Sequence, residues 1–371
     1  MMAAVRYHEG KFPPASIGWE RLIPFLGPSA AAVARFDGLL QAMPNPDVLL
    51  SPLTTNEAVL SSRIEGTQAT MGEVLEYEAG RKAAHEARRE DIQEVLNYRA
   101  AVREAQRLLE TMPLSGRVIK EAHRVLLQGV RGTYKSPGRY RTEQNWIGAP
   151  GSTIEAARFV PIEPDRLEEG MARWERYLHS EQPDRLVQLA VAHAEFEALH
   201  PFLDGNGRVG RMIVPLFMWQ AGLIHRPIFY ISAYFDARRD EYLDRLYAVS
   251  RDDDWTGWCA FFLDAVRVQA EDNLARATSI MRLYEQMKER LPELTRSQHV
   301  IRALDWVFET PVFSASDFVN HSGIPRDAAR RILNALHEGG IVEEIEPASG
   351  RKPGVYSFDE LLDAAEGRIT P

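Results

Sequence analysis

The chain reads as mainly α: a helical core carrying one β-hairpin, followed by a C-terminal winged helix-turn-helix module. Three features predict this. Apolar residues recur at helical spacing on both sides of a glycine-rich loop at 200–211, with Leu189, Val191, Ala192, Phe196 and Leu199 before it and Met212, Ile213, Val214, Leu216, Phe217 and Met218 after it. A stretch over 132–164 is rich in Gly, Pro and Ser and loses helical periodicity, which suits short strands. Residues 295–358 run through two helical patterns, a turn, a third helix and two strand-like segments.

Composition sets the bounds. The 371 residues suffice for two or three domains and a sizeable core. A 45% hydrophobic and 26% charged content is ordinary for a soluble globular protein. The formal net charge of −9, with a pI near 5.7, argues against bulk nucleic-acid binding as the main activity. The single cysteine, Cys259, excludes an intrachain disulfide and a multi-cysteine metal site and fits a reducing compartment. No run reaches the ~18 apolar residues of a transmembrane helix. Met1 to Pro14 has no apolar core of a secretory signal, so the expected address is cytoplasmic, with no membrane partner.

Taken in order, the first 50 residues begin with Pro13, Pro14, Pro24, Gly27 and Pro28 and then turn helical from Ala30 to Met43, until Asn45-Pro46 breaks the pattern. A second helix starts near Thr54, with Thr55 or Asn56 as cap and Val59, Leu60 and Ile64 as its stripe. Glu65-Gly66 ends it, and Gly66 suits a left-handed C-terminal position. Residues 70–130 give helices broken near Pro113 and Gly116, with a solvated charged segment at Arg81 to Asp91. Arg141 to Gly148 and Ala157 to Pro161 are expected to pair as short strands across Ala149 to Thr153. Helices resume from Arg166 to Leu291, with breaks at Gln182-Pro183, at the glycine loop and over Gly222 to Ile231. Ile280, Leu283, Met287 and Leu291 stripe a long connecting helix. Ser297 to Phe308 and Ser314 to Asn320 are helical, His321 to Pro325 is a turn, and Arg326 to His337 is the candidate recognition helix. Ile341 to Ile345 and Gly354 to Phe358 are the wing strands. Arg326, Arg330, Arg331, Arg351 and Lys352 suit phosphate contacts, but Asp327, Glu338, Glu343, Glu344 and Glu346 leave the module near neutral. DNA or a protein partner both remain open for it.

The chemistry concentrates in His200-Pro-Phe-Leu-Asp-Gly-Asn-Gly-Arg-Val-Gly-Arg211. The glycine loop opens the N-terminus of a helix, where unpaired N–H groups and the helix dipole attract anions. Arg208 and Arg211 add fixed positive charge on the first turns. The stretch is a phosphate cradle with an imidazole at its rim. Gly205 to Gly210 also matches G-x-G-x-x-G, but a helix precedes it and no βαβ alternation surrounds it, so a dinucleotide fold is not indicated. No P-loop motif occurs.

This stretch resembles the signature of the Fic family, His-x-Phe-x-Asp/Glu-Gly-Asn-Gly-Arg-x-x-Arg, at every specified position. Upstream, Ser61-Ser-Arg-Ile-Glu65-Gly66 resembles the family's inhibitory motif, Ser/Thr-x-x-x-Glu-Gly/Asn, and Asn145-Trp-Ile-Gly148 resembles its pre-motif segment. The layout is similar to the subclass with an N-terminal inhibitory helix and a C-terminal winged helix. The resemblance implies a helical region over 1–110 with the inhibitory helix at about 54–66, a catalytic core over 111–291 with a target-holding flap at about 141–161, and a winged helix-turn-helix over 295–371. It also implies transfer of AMP from ATP to a protein hydroxyl, self-modification included, and a homodimer. Removal of AMP from the target is a further activity the resemblance allows.

Residue chemistry agrees with that expectation. His200 suits the base that takes the proton of an incoming Ser, Thr or Tyr hydroxyl. Asp204 is a hard oxygen ligand for Mg²⁺. Gly205 and Gly207 let backbone N–H groups approach phosphates, with Val209 and Gly210 continuing the turn. Asn206 can donate to a phosphate oxygen, and Arg208 and Arg211 can clamp the β- and γ-phosphates. Phe202 is expected in the core. Glu65 would pair with Arg211 and misplace the phosphates, with Ser61 steadying the pair and Gly66 ending the helix. Tyr242, and less distinctly Tyr234, stand where the family often presents adenine-side contacts. Both signature glycines favour AMP transfer over the phosphorylation of Doc-type members. The competing reading is a DNA-binding regulator whose Fic-like core senses nucleotide without turnover.

Overall fold

The computed structural model describes residues 4–130, 134–149 and 151–368. Gly132 at the head of the Gly/Pro-rich stretch, Pro150 in the expected hairpin turn and the last three residues of the C-terminal stretch lie outside the described residues.

The chain begins with β1 (Val5–Arg6), α1 (Trp19–Ala42), α2 (Pro46–Leu49), α3 (Ser51–Ile64), α4 (Met71–Glu78), α5 (Glu86–Leu109) and α6 (Gly116–Leu126). Next come β2 (Phe159–Val160), α7 (Pro164–Leu178), α8 (Arg185–Leu199), α9 (Asn206–Gln220), α10 (Ser232–Ala237), α11 (Arg239–Asp252) and α12 (Trp255–Thr295). The rest is α13 (Val300–Glu309), β3 (Val312–Ser314), α14 (Ala315–His321), α15 (Arg326–Glu338), β4 (Glu343–Glu346), β5 (Val355–Ser357) and α16 (Asp359–Glu366). The fold is mainly helical with small sheets, as the periodicity predicts. It divides into two compact units, each built from separated stretches rather than contiguous blocks. One holds Met1–Asp37, Leu60–Gly66 and Leu96–Glu271; the other holds Gly38–Val59, Thr67–Val95 and Asp272–Pro371.

The first unit is organised around α8 and α9, which pack on each other and are apolar on nearly every side. Such all-round burial suits central helices. Asp184 caps α8 by accepting the Val187 N–H at 2.9 Å. The indoles of Trp174 and Trp258 donate to Ala192 and Ala190 carbonyls at 2.8 and 2.7 Å, fixing α8 from two sides.

Several boundaries differ from those the sequence predicts. α1 starts at Trp19 and runs through Pro24 and Pro28, where prolines suggest a loop. Leu22, Val33 and Phe36 are buried along it, and the Ser29 hydroxyl donates to Phe25 and Leu263 carbonyls at 2.7 and 2.8 Å. Tertiary packing outweighs the local breakers. α3 begins at Ser51 rather than at Thr54, but ends where Glu65-Gly66 places its end, with Gly66 at φ 103°. The expected hairpin over 141–161 is reduced to one antiparallel bridge, Ile147 to Phe159. The second segment finds another partner: β2 pairs in parallel with β1, Val5 opposite Phe159. Such a pairing across the sequence leaves no local signal.

In the second unit α2 packs on α13 and α4 on β3. β3, β5 and β4 form an antiparallel sheet in that order. β3 is not predicted from the sequence; its three residues are too few for a period. Thr70 and Glu73 form a capping box on α4, and Ser314 caps α14. The stripe Ile280, Leu283, Met287 and Leu291 is buried. Among the described residues no helix is long and apolar enough to cross a membrane.

Candidate active site

A cavity of about 320 Å³ opens in the first unit where α8, α9 and α11 meet the end of α3. It brings together Glu65, His200, Asp204, Gly205, Asn206, Gly207, Arg211 and Tyr242 of the residues singled out by sequence. Ser61, Arg208, Val209 and Gly210 stand behind its wall.

His200 caps the C-terminus of α8 in the left-handed region, at φ 48° and ψ 60°. A non-glycine residue holds that conformation only when its surroundings enforce it. Arg141 does so. Its N–H donates to the Pro201 carbonyl at 2.9 Å and its Nε to the His200 carbonyl at 3.0 Å, while the guanidinium also reaches the Ile162 and Glu143 carbonyls. Burial lowers the Arg141 pKa to about 10, so it stays charged at neutral pH. The His200 Nδ1 lies 3.3 Å from the Glu197 carbonyl. A carbonyl only accepts, so Nδ1 carries the hydrogen and Nε2 keeps its lone pair. Burial pushes the His200 pKa down to about 4, Arg141 adding to the effect and Glu65 opposing it. The imidazole is neutral and basic at pH 7.

The loop after it is fastened from below. Phe202 is fully buried and stacks on His123, ring centroids 3.7 Å apart. The Gly138 N–H donates to His123 Nδ1, so Nε2–H donates to the Asp204 carbonyl at 2.9 Å. Burial keeps His123 neutral, with its pKa near 4. Asn206 does not offer its amide to a phosphate, as the sequence suggests. Its Oδ1 accepts from the Phe202 N–H and its Nδ2 donates to the Phe202 carbonyl, each at 2.8 Å. Asn206 is a brace that closes the loop, and only its backbone is left for the cradle. Gly205 sits at φ 77°, and Gly207 gives the first turn of α9 an open face.

Glu65 fills that face. A Cβ at Gly207 would collide with Glu65 Oε1. The carboxylate accepts from Arg211 Nη2 at 2.7 Å. Arg211 is 1% exposed and also donates from Nε to Ser61 Oγ at 2.9 Å and from Nη2 to the Ser61 carbonyl at 2.8 Å. Burial works against ionising Glu65, but Arg211, with Arg208 and His200 beyond it, outweighs that and holds the carboxyl below its ordinary range. Arg239 Nε donates to the Ile64 carbonyl at 3.0 Å, and Arg63 pairs with Asp236 at 3.5 Å, so the end of α3 is tied down from α10 and α11 as well.

Asp204 accepts the Gly205 N–H at 2.6 Å and meets Arg208 at 3.4 Å, with its side chain 41% exposed. Val209 packs in the core. Gly210 is needed for a different reason from the cradle: a Cβ there would strike Glu197 Oε1. Burial pushes the Glu197 pKa up to about 7, and its Oε1 has no hydrogen-bond partner. Tyr242 lines the cavity, but its hydroxyl meets His193 Nε2 at 2.9 Å and its ring stacks on Phe235 at 4.4 Å. Tyr234 does not line the cavity; its hydroxyl donates to Asp264 at 2.9 Å. Arg141, His123, His193 and Glu197 escape the sequence reading, because nothing local marks an arginine or histidine whose partners are distant carbonyls.

Comparison with known proteins gives one consistent answer. Residues 23–107 match the Fic/DOC family N-terminal domain and residues 113–218 the Fic/DOC family domain. The protein adenylyltransferase fic-1 of Caenorhabditis elegans is 33% identical over 88 residues, 23% of this chain and 16% of that protein. The protein adenylyltransferase Fic of Drosophila ananassae is 28% identical over 163 residues, 43% of this chain and 31% of that protein. The chain thus matches less than a third of the length of these curated relatives. In fold, it is similar to a Fic family protein from Desulfovibrio desulfuricans, with a TM-score of 0.60 and 22% identity over 93% of this chain and 98% of the other. It is also similar to a fragment of Caenorhabditis elegans Fic-1, with a TM-score of 0.52 and 23% identity over 70% and 72% of the two chains.

Proposed function

Because the chain belongs to the Fic/DOC family, we propose that it is a protein adenylyltransferase held in check by its own Glu65. It would move AMP from ATP to a Ser, Thr or Tyr hydroxyl of a target protein, itself included. His200 Nε2 accepts the hydroxyl proton as the oxygen attacks the α-phosphorus, and pyrophosphate leaves. A base so placed contributes ~10²–10⁴-fold. Backbone N–H groups on the first turn of α9 and the Arg211 guanidinium receive the β- and γ-phosphates.

The observation that carries this reading is the position of the Glu65 carboxylate. It lies against Gly207, on the anion-binding turn of α9, and pairs with Arg211 at 2.7 Å. A carboxylate held there stands in for a phosphate, so the same groups that would orient ATP now hold the inhibitor. Displaced phosphates take the α-phosphorus out of line, which is costly to rate.

Asp204 fits a magnesium ion, since its carboxylate is half-exposed at the cavity edge beside the cradle. Among the described residues no cluster of three His, Cys, Asp or Glu side chains could hold a metal alone. An ion held by one carboxylate and completed by phosphate oxygens and water is typical of Mg²⁺. When bound, it would neutralise phosphate charge.

The order α13, α14, α15 and the β4–β5 pair supports a winged helix in the C-terminal stretch. Arg326, Arg330 and Arg331 are exposed on α15, but Asp327 lies 3.6 Å from Arg330, and Glu346 pairs with Lys352. This partial neutralisation favours a protein partner over DNA.

The test is intact-mass spectrometry after incubation with Mg-ATP. The Glu65→Gly protein is expected to gain adenylyl groups well above the parent, and His200→Ala in that background to gain none. An unmodified Glu65→Gly protein, or modification that survives loss of His200, contradicts the proposal.

A further inference from the structure

Arg211 has partners of two kinds. Ser61 and Glu65 come from the end of α3, which must withdraw before phosphates can enter. Their three contacts are then lost. A guanidinium on a long side chain, released from all its acceptors, would not keep one geometry without cost in side-chain entropy.

One partner does not leave. The Tyr242 hydroxyl on α11 lies against the Arg211 guanidinium and accepts from it. The same hydroxyl meets His193 Nε2 at 2.9 Å, and His193 Nδ1 meets the Gly210 carbonyl at 3.1 Å. Proton positions in this chain are forced. The Gly210 carbonyl only accepts, so Nδ1 carries the hydrogen and Nε2 is a lone pair. Nε2 must therefore receive the tyrosine O–H, which leaves the phenolic oxygen free to accept from Arg211, a group that only donates. Burial keeps both intermediates neutral: His193 is pushed down to about 3 and the Tyr242 hydroxyl well above its usual value. His193 is fully buried, stacked on Trp258 at 5.8 Å, so the chain is anchored in the core.

We propose that Tyr242, oriented by His193, is a positioning residue that holds Arg211 in its phosphate-receiving geometry once Glu65 withdraws. This rests on the nucleotide-transfer reading of the cavity. It assigns Tyr242 to the phosphate end of the ligand through Arg211, not to adenine. The relay returns to the Gly210 carbonyl, one residue before Arg211, so α8, α9 and α11 are closed into one hydrogen-bonded circuit.

The two roles for Tyr242 separate by ligand. AMP carries the adenine and α-phosphate but no group for Arg211, whereas ATP carries all three phosphates. The experiment is calorimetric titration of Mg-ATP and of AMP into the full chain carrying Glu65→Gly, with and without Tyr242→Phe, and again in an Arg211→Ala background. Phenylalanine keeps the ring stacked on Phe235 and removes only the hydroxyl. The expected result is about a tenfold weaker Kd for ATP, an unchanged Kd for AMP, and no further effect of Tyr242→Phe once Arg211 is alanine. Equal weakening of ATP and AMP would return Tyr242 to the adenine side and overturn the inference. So would an unchanged ATP affinity, or a loss that persists without Arg211. Failure of the Glu65→Gly protein itself to bind either nucleotide would overturn the nucleotide reading, and the inference with it.

Discussion

Burial sets the working state of single groups in this cavity. His200 is held near pKa 4, so it is already the free base across the neutral range. The rate profile of the Glu65→Gly protein is therefore expected to be flat in its basic group from about pH 5.5 to about pH 8, falling only as the ring protonates below about pH 5. A loss of kcat/KM through a midpoint near ~6.5, the ordinary imidazole value, would contradict it. Glu197 responds in the opposite sense. Its folded pKa is raised to about 7 from 4.5, so the native state binds the proton more tightly than the unfolded chain. Stability must then fall as pH rises through the window between those values. Glu197→Gln removes this dependence, and its thermal-stability advantage over the parent should grow between about pH 5 and about pH 8. An advantage independent of pH would mean that the carboxyl is not buried in the protonated form.

The helices that carry the site owe their precision to features of unequal visibility. Asp184 at the head of α8 is legible in sequence, standing before an apolar run, and it accepts the Val187 N–H at 2.9 Å. Asp184→Ala is expected to cost about 1 kcal/mol, measurable by urea unfolding; a change indistinguishable from zero would show that packing alone fixes the helix start. α8, the loop and α9 are legible because a 3.6-residue period stops at glycines and resumes. So are His200 and Glu65, each marked by a motif whose chemistry is dense. The parallel pairing of β1 with β2 is not legible, since Val5 and Phe159 carry no joint pattern. Nor is α1 through Pro24 and Pro28, where long-range burial overrides local breakers. Arg141 is hidden for the same reason as His193: its meaning lies in carbonyls that folding brings to it. Asn206 was legible as a site residue but not in its role, because an amide beside a glycine loop suits either a phosphate or the loop's own backbone, and only the fold places both Phe202 backbone groups within its reach.

At the scale of the whole chain, sequence order and compactness part company. A boundary near residue 295 suggests that the C-terminal stretch could be removed as a block. The second unit instead combines Thr67–Val95 with Asp272–Pro371. α4 packs on β3, and Arg81 pairs with Glu346 at 3.1 Å as well as with Glu76 at 2.7 Å. That exposed ion pair contributes little, typically ~0–1 kcal/mol; the apolar contact carries more. Val312, Phe313 and Phe318, and on the other side Met71, Val74 and Leu75, are all buried. Deleting 295–371 would strip β3 and α13 from this unit, exposing α2 and α4. Exposed apolar helices without a partner are marginal in water. The truncated chain is therefore expected to be cut by protease within 67–95 under conditions where the full chain resists, and to lose part of its cooperative thermal transition. Limited proteolysis with mass mapping, alongside calorimetry, checks this. If residues 67–95 stay protected and the transition keeps its enthalpy per residue, the stretch after 295 is a separate domain, and the interleaved second unit is not a cooperative one.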